Sequence, residues 1–167
     1  MSGFCQEHDI IHEVTAPYTL QSNGVAERKN RTLMDMVNCM LLSSGASENL
    51  WVETLLFAYF IFNRVPQRNS DITSYKRWKG RTFNIQFFKV WGCMAKVSTP
   101  KSKKRKIGPK TVDAIFMGYT LDSNVNRLLV VNSEISEIFN NTIIKARDVV
   151  YFENISSSKS RIPNDPF

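Results

Sequence analysis

Thr15–Leu33 reads TAPYTLQSNGVAERKNRTL, and how this stretch is read decides the fold. Val14 to Pro17 has the character of the end of an extended segment, Gln21 to Gly24 that of a turn, and Val25 onward that of a helix. Ser22 or Asn23 can cap that helix, because a short polar side chain accepts from the N–H groups its first turn leaves unpaired. The junction sets Glu27 in the first helical turn, where the positive end of the helix dipole favours an ionised carboxylate, with Arg31 one turn further along the same face. An oriented, ionised acid suits a divalent cation such as magnesium, which takes one or two carboxylates together with phosphate oxygens. On spacing alone the plainer reading of this pair, an ordinary helix start, is the stronger.

The residues Pro17, Tyr18, Thr19, Leu20, Gln21, Ser22, Asn23, Gly24, Val25, Ala26, Glu27, Arg28, Lys29 and Asn30 shift that balance. Their block resembles the segment around the last catalytic acid in the integrases of copia-type long-terminal-repeat retrotransposons. Leu20 departs from the family's second proline, so a pre-set φ is lost just before the turn. Further blocks resemble the same polyprotein in the same order: Leu50-Trp51, Asn63-Arg64-Val65-Pro66, Trp78-Lys79-Gly80-Arg81, Val90-Trp91-Gly92-Cys93 and Phe116-Met117-Gly118-Tyr119. The resemblance runs to about Phe152. It implies an α+β chain: an incomplete ribonuclease H-like integrase core, one strand plus an antiparallel helix pair, followed by a small SH3-like β-barrel. It also implies a parent chemistry of two-metal phosphoryl transfer with Mg2+ or Mn2+, held by two aspartates and the glutamate. Glu27 matches that glutamate. Asp9, the one aspartate before it, stands too close to match either partner, so Glu27 is an orphaned carboxylate, no ion is expected to bind stably, and the isolated chain is expected to be inactive as an enzyme.

A chain of 167 residues with 43% hydrophobic content can bury one ordinary core or two small ones. Its net charge of +7 favours a polyanionic partner, since every phosphate neutralised by Lys or Arg releases counterions. No run of apolar residues reaches membrane-spanning length, and Met1 to Asp9 lacks a signal-peptide pattern. A nuclear or cytoplasmic protein, not secreted and without a membrane partner, is therefore expected. Cys5, Cys39 and Cys93 are odd in number and widely spaced, which fits reduced thiols. Cys5, His8 and His12 lack the fourth ligand a structural zinc needs, and read better as polar positions before a strand.

Hydrophobic periodicity and punctuation divide the remainder. Ile10 to Thr15 suits a short strand, and Ala26, Leu33, Met34, Val37, Met40 and Leu41 recur at helical spacing from Val25 to Ser43. Gly45 is a stop, Ser47 and Glu48 open a second helix to about Arg64, and Pro66 ends it. The loop between these helices is short, so an antiparallel pair with its own core is expected over residues 1–66. Residues 67–88 read as a connector with one helical turn, Thr73 to Lys79. There Lys76, Arg77, Lys79 and Arg81 interleave with Tyr75 and Trp78, a pattern that can contact nucleic acid, although inward packing of both rings is the favoured reading. Over 89–153, Val90–Val97, Asp113–Tyr119, Arg127–Val131, Glu137–Ile144 and Val149–Phe152 predict the strands of the barrel. Its loop carries Lys101, Lys103, Lys104, Arg105, Lys106 and Lys110, a run that reads equally as a phosphate-contacting or nuclear-import segment and as a solvated hairpin tip. Residues 154–167 read as a disordered tail.

The expected function is that of a retrotransposon integrase fragment whose remaining activity is DNA binding. Arg28, Lys29, Arg31 and the loop cations at 101, 103, 104, 105 and 106 are the candidate contacts. Expected partners are DNA and a second copy of the chain or the remainder of an integrase. The alternative is an SH3-like protein-interaction module, or a pseudogene product without function.

Overall fold

A computed structural model describes residues 24–67, 70–98, 110–120, 125–133 and 138–156, together with Glu7, Ile11, Gly108 and Ile135. The expected strand over 10–15, the turn over 21–23, the Cys5, His8 and His12 group and the basic run 101–107 lie outside the described residues. The chain divides into two compact units, Met1–Thr32 and Leu33–Phe167.

Three helices, α1 (Gly24–Ser44), α2 (Trp51–Phe62) and α3 (Ser74–Lys79), precede five strands, β1 (Cys93–Ser98), β2 (Thr111–Tyr119), β3 (Asn126–Asn132), β4 (Ile143–Ala146) and β5 (Val149–Ser156). The first and third predicted helices sit within a residue of these bounds, whereas the second, expected from Ser47 and Glu48 to about Arg64, is α-helical only over Trp51–Phe62. In α1 only Val37 and Ser44 are buried, while Leu33, Met40 and Leu41 are half-buried and Met34 is exposed. The last turn closes with the Gly45 amide on the Leu41 carbonyl, 3.0 Å, and Gly45 takes a positive φ. A 3-10 turn at Glu48–Leu50 leads directly into α2.

All five strands form one antiparallel sheet in the order β4-β3-β2-β1-β5. The edge strands β4 and β5 are nonetheless joined by only Arg147 and Asp148. In a flat sheet the edges of five strands would stand about 19 Å apart at roughly 4.8 Å per step. Two linking residues span at most about 11 Å, three Cα steps of 3.8 Å. The sheet must therefore curl until its edges approach, and Ile144 and Ala146 from β4 do pack with Val149 and Tyr151 from β5 on one cluster of Ala95, Val97, Ala114 and Leu128. Period-two burial supplies that interior: Cys93, Ala95 and Val97 are buried in β1, whereas Lys96 and Ser98 are exposed. The register shifts in β2–β3 pairing between Asp113 and Ala114 and again between Phe116 and Gly118, and such irregularities bend a strand.

Three strand boundaries differ from expectation. The first strand starts at Cys93, because Trp91 and Gly92 form a turn with φ +77° at Gly92. The fourth is Ile143–Ala146, since Asn141 takes a φ of 62° and its amide turns back onto the Val130 carbonyl, 2.8 Å, ahead of the strand. The fifth runs through Ser156, so residues 154–156 of the expected tail belong to the sheet, where Ser156 pairs with Cys93.

The expected helical core does not stand apart either. α2 packs on β2, with Phe57 meeting Phe116 edge to face at 5.6 Å and Tyr119 at 5.9 Å. Ser44 at the end of α1 lies against Gly92, so close that a Cβ there would stand 2.4 Å from the serine Cβ. An ion pair from Arg127 in β3 to Glu53 in α2, 2.8 Å, adds a polar tie. Helices and sheet share one core because α2 is apolar nearly all round, and β2 buries both of its faces from Ala114 to Gly118. Part of the 67–88 connector packs on this core as well. Phe83 and Phe88 pack on Phe60, and the Tyr119 hydroxyl donates to the Phe87 carbonyl at 2.7 Å while accepting from the Lys89 amide at 3.1 Å.

Candidate nucleic-acid interface

Glu27, Arg28, Lys29 and Arg31 stand in the first two turns of α1, all exposed. The Thr32 hydroxyl donates to the Arg28 carbonyl at 3.0 Å, and the Arg28 guanidinium reaches back toward Gly24. Successive residues advance 100° around a helix, so 28, 29 and 31 fall within an arc of about 160° and present a half-collar of positive charge on one broad face. Among the described residues no three His, Cys, Asp or Glu side chains come together. Glu27 is exposed and belongs to no such group among the described residues.

A second basic feature lies on α3 in the other unit. Thr73 accepts from the Lys76 amide through its side chain, 3.1 Å, and Gly80 ends the helix at φ +70°. Lys76, Arg77, Lys79 and Arg81 are exposed. Tyr75 packs inward as expected, with its ring 5.7 Å from Phe83, but Trp78 is 84% exposed, contrary to expectation. Tyr75 joins a ring cluster through Phe83, which itself meets Phe60, Phe87 and Phe88, and no ring contact engages Trp78 among the described residues. Sequence reasoning had no means to count those rings into one place.

Arg64, two residues past the end of α2, carried no expected role beyond its place in the Asn63–Pro66 block, yet it organises this region. Its guanidinium lies 3.5 Å over Phe60 and 4.6 Å over Tyr75, and donates to the Phe60 carbonyl at 3.0 Å. Burial pulls its pKa below the ordinary arginine value, with Tyr75 acting weakly the other way. Nearby, burial pushes the Tyr119 hydroxyl up to about 12 and the Cys93 thiol up to about 11, with the Glu153 carboxylate adding to both shifts. Cys93 is therefore an inert, packed thiol at neutral pH. No helix among the described residues is long and apolar enough to cross a membrane.

The curled five-stranded sheet has the expected SH3-like character, and residues 93–165 match the family model described as the retroviral polymerase SH3-like domain. The chain is also 33% identical over 152 residues to the retrovirus-related Pol polyprotein from transposon TNT 1-94 of Nicotiana tabacum, which covers 90% of this chain and 11% of that protein. It is 27% identical over 122 residues to the retrovirus-related Pol polyprotein from transposon RE2 of Arabidopsis thaliana, covering 72% of this chain and 8% of that one. These matches place the chain with the Pol polyproteins of copia-type retrotransposons, as its motifs implied. It spans about a tenth of the length of the relatives it matches.

Proposed function

We propose that this chain corresponds to the closing part of a retrotransposon integrase core, ribonuclease H-like in origin, followed by an SH3-like domain, and that its own activity is to bind DNA. The observation that carries the reading is the similarity to Pol polyproteins over nine-tenths of the chain, joined to its excess of positive charge. The exposed collar of Arg28, Lys29 and Arg31 and the basic run from Lys101 to Lys106 are the proposed phosphate contacts. Glu27 stays the matching carboxylate, and one acid without partners holds a divalent ion too weakly for phosphoryl transfer.

Salt titration of duplex binding tests this. Each phosphate contact contributes about 0.9 to the slope of log affinity against log salt. If the collar makes three contacts, replacing Arg28, Lys29 and Arg31 with alanine lowers that slope by about 3. An unchanged slope refutes the assignment. Strand transfer on a model DNA end with Mg2+ or Mn2+ provides the second arm: turnover by the chain alone that Glu27→Gln abolishes would contradict the proposed inactivity.

A further inference from the structure

Thr73–Arg81, TSYKRWKGR, sits in the longest acid-free stretch of the chain, with no Asp or Glu between Asp71 and Asp113. Apart from Asp71, three residues before the helix begins, every charge near α3 in sequence is therefore positive. Lys76, Arg77 and Lys79 are exposed, and no side-chain ion pair or hydrogen bond engages them among the described residues. Arg81 donates through Nε to the Tyr75 hydroxyl, 3.3 Å.

The helix is firmly held. The Tyr75 amide donates to the Asn63 carbonyl at 2.9 Å, the Arg77 amide to Thr73 at 3.1 Å and the Gly80 amide to Lys76 at 2.9 Å. Tyr75 is clamped between Phe83 and the Arg64 guanidinium. On that fixed support Trp78 offers its ring to water. An aromatic side chain of this size can bury roughly 150–250 Å², and here most of that area remains unused.

We propose that α3 is a stacking site for an unpaired base of a single-stranded nucleic acid, with Trp78 against the face of the base and Lys76, Arg77 and Lys79 on the flanking phosphates. The base must be unpaired, because in a duplex both faces are covered by neighbouring pairs. A ring mounted on a capped and anchored helix loses little freedom when it stacks, and cations around it track the backbone without reading sequence. The site deepens the proposed DNA-binding activity and rests on it, but it uses different residues from the collar and the basic loop.

The test uses the full chain carrying Trp51→Phe, since Trp51 is 53% exposed and would blur the signal, whereas Trp91 is 5% exposed. Short oligothymidylate, its uracil counterpart and a duplex of equal length are titrated while tryptophan emission and affinity are followed. Single strands quench Trp78, and the comparison of the thymidylate with the uracil strand says whether DNA or RNA is preferred. Trp78→Ala weakens single-strand affinity roughly 5- to 150-fold, the range of one lost base stack, and Trp78→Phe retains most of it. Duplex affinity stays unchanged in both variants. Single-strand affinity that Trp78→Ala leaves intact overturns the proposal, as does an equal loss on the duplex. In the first case duplex binding that still depends on the collar leaves the broader reading standing, while no binding to any nucleic acid removes both. A blue shift of Trp78 on raising protein concentration alone would mean the ring docks on a second copy, which also overturns it.

Discussion

Replacing Gly92 with alanine probes whether the helices and the sheet are one folding unit. Gly92 carries φ +77°, and an added Cβ would stand 2.4 Å from the Cβ of Ser44. The left-handed backbone costs a non-glycine residue about 1–2 kcal/mol. Relieving the clash requires α1 to back away from the sheet, an overpacking penalty of about 1–3 kcal/mol. The expected loss is the sum, about 2–5 kcal/mol, a large share of a stability of about 5–15 kcal/mol. Gly80 supplies the control, for its φ of +70° is nearly the same but no atom lies within 4 Å of the added Cβ. Gly80→Ala should therefore cost the backbone part alone, about 1–2 kcal/mol. In a Ser44→Gly background the opposing Cβ is gone, and the further cost of Gly92→Ala should fall to the Gly80→Ala value. Urea unfolding followed by both tryptophan emission and far-ultraviolet circular dichroism measures all four variants. Equal costs for Gly92→Ala and Gly80→Ala, or no change of cost in the Ser44→Gly background, would refute the docking of α1 on the sheet.

Two other outcomes follow from the buried groups. Arg127→Met strips Glu53 of its cation, and since Glu53 Oε2 is already buried without a hydrogen-bond partner, a loss of about 1–3 kcal/mol is expected, less than for a fully buried pair. Adding Glu53→Met should recover much of it, and a double variant no better than Arg127→Met would show the pair to be incidental. Raised acid pKa values make the folded state hold protons that the unfolded chain has released, so stability falls as pH rises above about 9 and goes on falling through about 11 and 12 for Cys93 and Tyr119. Melting temperatures across that window should drop, and Cys93→Ala should flatten the fall between pH 9 and 11; an unaltered slope would sink the assignment.

Much of the helical layout was legible because it is local. Gly45 and Gly80 directly follow the last residues of α1 and α3 and Thr73 caps the start of α3 by their own backbone preferences, whereas α2 stops at Phe62, four residues ahead of Pro66. Strand ends were less legible, since Gly92 and Asn141 take left-handed conformations for reasons that lie across the sheet. The basic collar on α1 was readable from helical spacing, and its exposure agrees with it. Trp78 was misread. A tryptophan beside a tyrosine at helical spacing reads as core, yet the cluster of Phe60, Phe83, Phe87 and Phe88 takes in Tyr75 through Phe83 while Trp78 stays 84% exposed.

The sequence by itself determined the kinship with retrotransposon Pol polyproteins, the helix starts and stops, the alternating strands and the excess of positive charge, all of which reside in short stretches of residue identity. Tertiary structure alone decided that α2 joins the sheet through Phe57, that a two-residue link curls five strands until their edges meet, and that Trp78 faces water while Tyr75 does not. The physical reason is that burial belongs to volumes shared by residues far apart in the chain, and no local pattern records how full such a volume already is.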